Sequence, residues 1–186
     1  NQTETKVNLF ADVDKAAAER KLMVEFHNPL EPTGLNRTYP NEVGREAIRG
    51  AEINYAADQD TSIPFTRYVD GTADYTPLIF SNSSKQGNAT WAHEVASTVL
   101  YTNPYLQISE NPANLRPGGI YHASLGSLVE HVPTVWKRSW VLPQSSLGGR
   151  LAGVVRESEN GEWWVAMVAT PGQPITTQIP LSFLPA

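Results

Sequence analysis

The C-terminal stretch NGEWWVAMVATPGQPITTQIPLSFLPA, Asn160 to Ala186, decides how the chain is read. Asn160-Gly161 is a strong two-residue hairpin signal, because both central positions of a type I′ turn need φ > 0. It predicts that LAGVVRES (151–158) and EWWVAMVA (162–169) pair antiparallel. A second turn at Thr170-Pro171-Gly172 would return the chain as ITTQIPLSFL (175–184). There Ile175, Thr177, Ile179, Leu181 and Phe183 alternate with Thr176, Gln178, Pro180 and Ser182, the period of a half-buried strand. On this reading Trp163 and Trp164 lie on opposite faces of one strand.

Outward from this hairpin, the chain punctuates in the same way. Pro, Gly, Asn and Ser clusters such as PTGLN, DGTAD, SNSSKQGN and PQSSLGG separate short runs rich in Val, Ile, Tyr, Trp and Thr. The runs include IPFTRYV (63–69), ADYTPLIF (73–80), STVLYTNPYLQI (97–108) and LVEHVPTVWKRSWVLP (128–143). Their spacing predicts an all-β sandwich or barrel rather than alternating βαβ units. Three helices are expected. KAAAERKLM is capped by Asp12 or Asp14, Asn41–Ile48 is stopped by Gly50, and a third covers Ser124–Glu130.

The 186 residues suffice for one substantial core, and the absence of cysteine excludes thiol catalysis, disulfides and thiolate metal sites. A net charge of −5 with only 14 Lys+Arg argues against a dedicated nucleic-acid binder. No apolar stretch reaches the length of a bilayer span. The polar, Met-less start NQTETKVNLF reads as a processed or trimmed end rather than a signal peptide. Sequons at Asn1, Asn36, Asn82 and Asn88 read as polar loops.

Candidate chemistry is sparse. His93-Glu94 lacks the second histidine of H-E-x-x-H. His122 and His131 would fall on different faces of a helix, a poor arrangement for shared metal ligation. Asp70 or Asp74 with His122 and Ser124 could form a triad, but no nucleophile elbow surrounds Ser124. The pairs Asp58/Asp60 and Asp70/Asp74 read as solvated turn residues, and Asp12/Asp14 as helix caps. The expectation is a protein that is not an enzyme, with no catalytic residue, metal or cofactor.

Two resemblances follow. GEWWVA…IPLSFL resembles the end of an SH3 domain, which implies a groove for a proline-rich peptide lined by Trp163, Pro180 and Phe183. The strand-like stretches from Ser62, from Leu128 and at the C-terminus together resemble the coat proteins of picorna-like viruses. That second resemblance covers more of the chain and implies an eight-stranded antiparallel jelly roll over residues 41–186, behind an N-terminal helical arm at 1–40. It implies a structural capsid subunit in the virion, whose partners are other coat subunits, genomic RNA on the inner surface and a host receptor. The five tryptophans would then fill subunit interfaces.

Overall fold

Thr3 opens the first helix, not Asp12 or Asp14. In the computed structural model, which describes residues 3–53, 56–172 and 174–184, α1 spans Glu4–Glu19. The Thr3 hydroxyl accepts from Lys6 N at 3.3 Å, satisfying one of the first-turn donors. Asp14 is therefore inside the helix and fully buried. The chain leaves α1 through Lys21, at φ 56°, and enters β1 (Val24–Phe26).

β1 pairs in parallel with β2 (Glu42–Arg45), with Phe26 opposite Arg45 and a bulge between Val24 and Glu25. The expected helix at Asn41–Ile48 is thus a strand. Asn41 does not cap; its Nδ2 donates to the carbonyls of Asp14 and Leu22, tying β2 to α1. Arg45 completes that junction. It donates to both oxygens of Glu42 at 2.8 and 2.9 Å, and its guanidinium lies 5.0 Å from the ring centroids of Phe10 and Phe26. Tertiary contacts override helix propensity here. The β1–β2 pair also joins residues on either side of position 40.

The runs IPFTRYV and ADYTPLIF form no strands. The first makes 3₁₀ turns at Ile63–Phe65 and Arg67–Val69, and α2 (Ala57–Asp60) is a single turn before them. The second is hydrophobic because it threads the core, with Tyr75, Leu78 and Phe80 buried. At its end, main-chain N–H groups are satisfied by carboxylates instead of a ladder. Ile79 N donates to Glu94 at 2.5 Å and Ser81 N to Glu110 at 2.8 Å.

α3 (Trp91–Leu100) occupies residues expected as loop and strand, capped by Thr90, whose hydroxyl accepts from His93 N. α4 (Pro112–Leu115) follows, capped by Asn111. The helix expected at Ser124–Glu130 is a π turn at His122–Gly126 continuing into α5 (Ser127–His131).

The second sheet has the order β3 (Trp136–Val141), β4 (Leu151–Ser158), β5 (Trp163–Ala169), all antiparallel. Every residue of β4 is buried, as befits the central strand. The hairpin after Ser158 exists, but Gly161 alone supplies the positive φ, at 86°. Gly161 N donates to Ser158 O, so the turn is one residue longer than a type I′ pair. ITTQIPLSFL does not add a strand; Pro180 and Leu181 are exposed and no ladder forms there. Its alternation marks a surface-lying segment, not a paired one.

The core joins α3 to the inner face of the three-stranded sheet through Ile63, Tyr75, Val99, Tyr101, Val154 and Val168. The described residues therefore form a mixed helical and two-sheet structure with five strands, not an eight-stranded jelly roll. The expected sandwich fails because several hydrophobic runs are buried in the core without joining a ladder. The Asn1 sequon lies outside the described residues.

Candidate functional site

The C-terminal ends of parallel strands are where α/β folds place ligands, because the following loops converge there. β1 and β2 end in Phe26-His27 and Arg45-Glu46. Around them gather Glu25, Glu52 from a 3₁₀ turn at Ala51–Ile53, and Asp74 from the ladderless core segment. Four carboxyl groups thus surround one imidazole.

Two of the four are held by neutral donors. Asn103 Nδ2 donates to Glu25 Oε1, and Gln107 Nε2 bridges Glu25 Oε2 at 3.4 Å and Asp74 Oδ2 at 2.8 Å. Thr76 N donates to Asp74 Oδ1 at 3.1 Å, an Asx-type turn two residues on. Asp74 is fully buried, and desolvation followed by the charge of Glu25 pushes its carboxyl up to about 6. Burial likewise raises Glu25. Gly44 packs closely beside them: a Cβ there would lie 2.6 Å from Glu25 Oε1 and 2.8 Å from Asn103 Oδ1, so both side-chain ends would have to shift.

The other two carboxylates keep spare acceptor capacity. Glu46 accepts the main-chain N–H of Asn28, and its Oε2 lies 3.6 Å from His27 Nδ1. Glu52 Oε2 accepts from Thr76 Oγ1, while Glu52 Oε1 is buried with no protein hydrogen bond. His27 Nδ1 is also 3.2 Å from Asp74 Oδ2. The His27 side chain is 44% exposed and that of Glu46 only 4%, so the imidazole stands between solvent and the acids.

The backbone is strained around this cluster. Five non-glycine described residues have positive φ, and Asn28, Ala47, Thr76 and Leu78 are four of them. A β-branched residue at φ 47°, as at Thr76, is an outlier costing on the order of 1–3 kcal/mol, and such strain concentrates at functional sites. The ligand atoms of His27, Glu46 and Glu52 lie within 4.8 Å of one another. With the orphaned Glu52 Oε1, that oxygen-rich set fits a divalent cation, which would offset the clustered negative charge.

The residues singled out in the sequence behave differently. Asp74 is buried in the cluster instead of solvated, whereas Asp70 is exposed. The Asp–His–Ser triad does not assemble: Asp74 meets His27, Ser124 Oγ donates to Tyr121 O, and the His122 ring packs on Gly126. Asp60 is buried and lies 2.8 Å from His93 Nε2. Trp163 and Phe183 do come together, at 5.0 Å between ring centroids, but they stack with Trp140, and Pro180 stands exposed on a strandless segment. A three-stranded sheet is not an SH3 barrel, and the peptide groove falls with it. Trp136 packs on Trp164, and Trp91 on Phe80 and Tyr121, so all five tryptophans pair within the chain.

Sequence reasoning missed Glu25, His27, Glu46 and Glu52. The available signal was a pair of short segments, VEFHNP and EVGREAIRGAE, each placing acids or histidine beside Gly, Pro or Asn turns. Reading Asn41–Ile48 as a helix hid it.

The glycoside hydrolase 97 family model matches residues 1–48. The chain is 28% identical over 185 residues to a retaining alpha-galactosidase of Bacteroides thetaiotaomicron, covering 90% of this chain and 27% of that protein. It is 27% identical over 182 residues to a probable retaining alpha-galactosidase of Streptomyces bingchenggensis, covering 97% and 27%. Among solved structures, a glycoside hydrolase family 97 enzyme from Pseudoalteromonas sp. strain K8 in complex with panose superposes with a TM-score of 0.75. It is 26% identical, over 88% of this chain and 27% of that one. A beta-arabinopyranosidase gives a TM-score of 0.70 at 26% identity, over 87% and 27%. The chain spans about a quarter of the length of the curated relatives it matches. These likenesses, to bacterial carbohydrate-cleaving enzymes, overturn the viral coat reading. With it fall the virion location, the coat-subunit, RNA and receptor partners, and the expectation that the protein is not an enzyme. In sequence and in the course of its backbone, the chain is similar to one segment of family 97 glycoside hydrolases.

Proposed function

We propose that this chain supplies part of the active centre of a glycoside hydrolase that cleaves terminal galactosides or closely related sugars. The observation that carries the proposal is the cluster of Glu25, His27, Glu46, Glu52 and Asp74 at the ends of β1 and β2. Most of it falls inside the segment that the family model matches.

The chemistry suits the residues. Cleaving a glycosidic bond requires a carboxyl group to protonate the departing oxygen, and a second carboxylate to serve as nucleophile or to activate water. Glu52 and Glu46 are the acids with uncommitted oxygens, next to the partly exposed His27. In this proposal Glu52 exchanges the proton with the leaving oxygen. Glu46 stands beside the reacting carbon, and His27 donates a hydrogen bond to a sugar hydroxyl. Glu25 and Asp74 hold the frame through Gln107.

The substrate class comes from the relatives, two of which carry the name of retaining alpha-galactosidases. The test is a panel of nitrophenyl α-galactoside, α-glucoside and β-arabinopyranoside offered to the protein at its full natural length. Release from the α-galactoside, with the first-formed sugar retaining its anomeric configuration by NMR, is expected. No release from any of the three would overturn the proposal.

A further inference from the structure

We infer that Thr76 is a positioning residue for Glu52, fixing one carboxylate oxygen so that the other faces the reacting group. This rests on the proposed role of Glu52 as the proton-exchanging acid and deepens it.

Three independent features place Thr76 in that role. Its hydroxyl donates to Glu52 Oε2, leaving Oε1 buried with no hydrogen bond from the protein. Its backbone sits at φ 47°, where a β-branched residue is disfavoured, and Leu78 at φ 65° continues the same unusual course. Only the surroundings can hold it there, and they are visible. Thr76 N donates to Asp74 Oδ1, Ser109 Oγ donates to Thr76 O at 3.0 Å, and Ser109 N donates to Pro77 O at 2.9 Å.

The third feature is how closely the turn carrying Glu52 is seated. Ala51 N donates to Tyr75 O at 2.9 Å. At Gly50 a Cβ would lie 2.6 Å from Tyr75 O and 2.8 Å from Thr76 Oγ1, so only glycine allows this approach. The two segments, 50–52 and 74–76, are thus locked main chain to main chain, with a single hydroxyl reaching the acid. An ordinary surface threonine would need neither the strain nor the seat.

The experiment compares Thr76→Val, Thr76→Ala, Thr76→Ser and Glu52→Gln in the full-length enzyme, reading kcat, KM and thermal midpoint. Val keeps the branching and therefore the strain, Ala relieves crowding should Val fold poorly, and Ser keeps the hydroxyl. Loss of a positioning contact of this kind costs about 10- to 100-fold in activity. That loss is expected in kcat for Val and Ala, with KM and the midpoint near wild type and kcat restored by Ser. A Val or Ala variant with wild-type kcat, alongside an inactive Glu52→Gln, would overturn the positioning role while leaving Glu52 in place. A Ser variant as slow as Ala would overturn it too. Wild-type turnover by Glu52→Gln would instead remove the proposed role of Glu52 itself.

Discussion

Arg156 on β4 caps the helix that ends at Leu100. Its Nε donates to Val99 O and its Nη2 to Leu100 O, both at 2.7 Å, while Nη1 donates to Ser139 Oγ at 2.6 Å. The cation meets the negative end of the α3 dipole and three otherwise unpaired acceptors. Burial pushes the guanidinium down to about 10, which leaves it protonated at neutral pH. This one side chain fastens α3 to the three-stranded sheet.

Removing it should therefore be expensive. Arg156→Met fills similar volume but strands two helix-terminal carbonyls and a hydroxyl. It should destabilise the protein by about 2–4 kcal/mol, since each orphaned buried group costs about 1–3 kcal/mol. Urea unfolding checks it. A loss under about 0.5 kcal/mol, the range of an ordinary surface substitution, would contradict the capping role.

Asp14 should make stability depend on pH. It is fully buried against Glu42, and desolvation, followed by the hydrogen bond and charge of Glu42, raises its carboxyl from 3.8 to about 7. The folded state thus holds the proton that the unfolded chain releases. Its contribution is complete below about pH 4 and is lost as pH rises through about 7. Asp14→Asn should flatten the stability curve between those limits and leave the variant more stable than wild type at pH 8. Parallel curves for the two proteins would contradict it.

Gly50→Ala should damage the site and the fold together. The added methyl meets the Tyr75 carbonyl, which cannot swing away, and the side-chain oxygens of Glu52 and Thr76, an overpacking that costs about 1–3 kcal/mol. Because the displaced partners are Tyr75 and Thr76, kcat should fall together with stability. The checks are thermal midpoint and turnover of the proposed α-galactoside substrate. A variant unchanged in both would show that the two segments are not tightly seated.

The sequence announced the hairpin at Asn160-Gly161 because turn chemistry and strand pattern agreed there. It was misleading wherever hydrophobicity came from burial without pairing. ADYTPLIF is apolar because it crosses the core, with the Ile79 N–H and that of the following Ser81 satisfied by Glu94 and Glu110, which no local pattern reveals. ITTQIPLSFL alternates yet has no ladder partner among the described residues. The site was hidden for a related reason. Glu25, Glu46, Glu52 and Asp74 are scattered over some fifty positions and meet only in the fold, the first two through the parallel pairing of β1 and β2 and the last two through the seating of 50–52 on 74–76. Asp74 looked like a turn aspartate because burial by distant residues leaves no trace in its neighbours.

In the proposed function Glu46 and Glu52 are the acids at the reacting end of a glycosidase site. Its most direct test is single-turnover and steady-state hydrolysis of an aryl α-galactoside by Glu46→Gln and Glu52→Gln, with Glu130→Gln on α5 as control. General acid–base groups contribute roughly 10²- to 10⁴-fold. Losses of that size in kcat are expected for both site variants, with thermal midpoints retained and the control at full activity. Wild-type turnover in either site variant would contradict it.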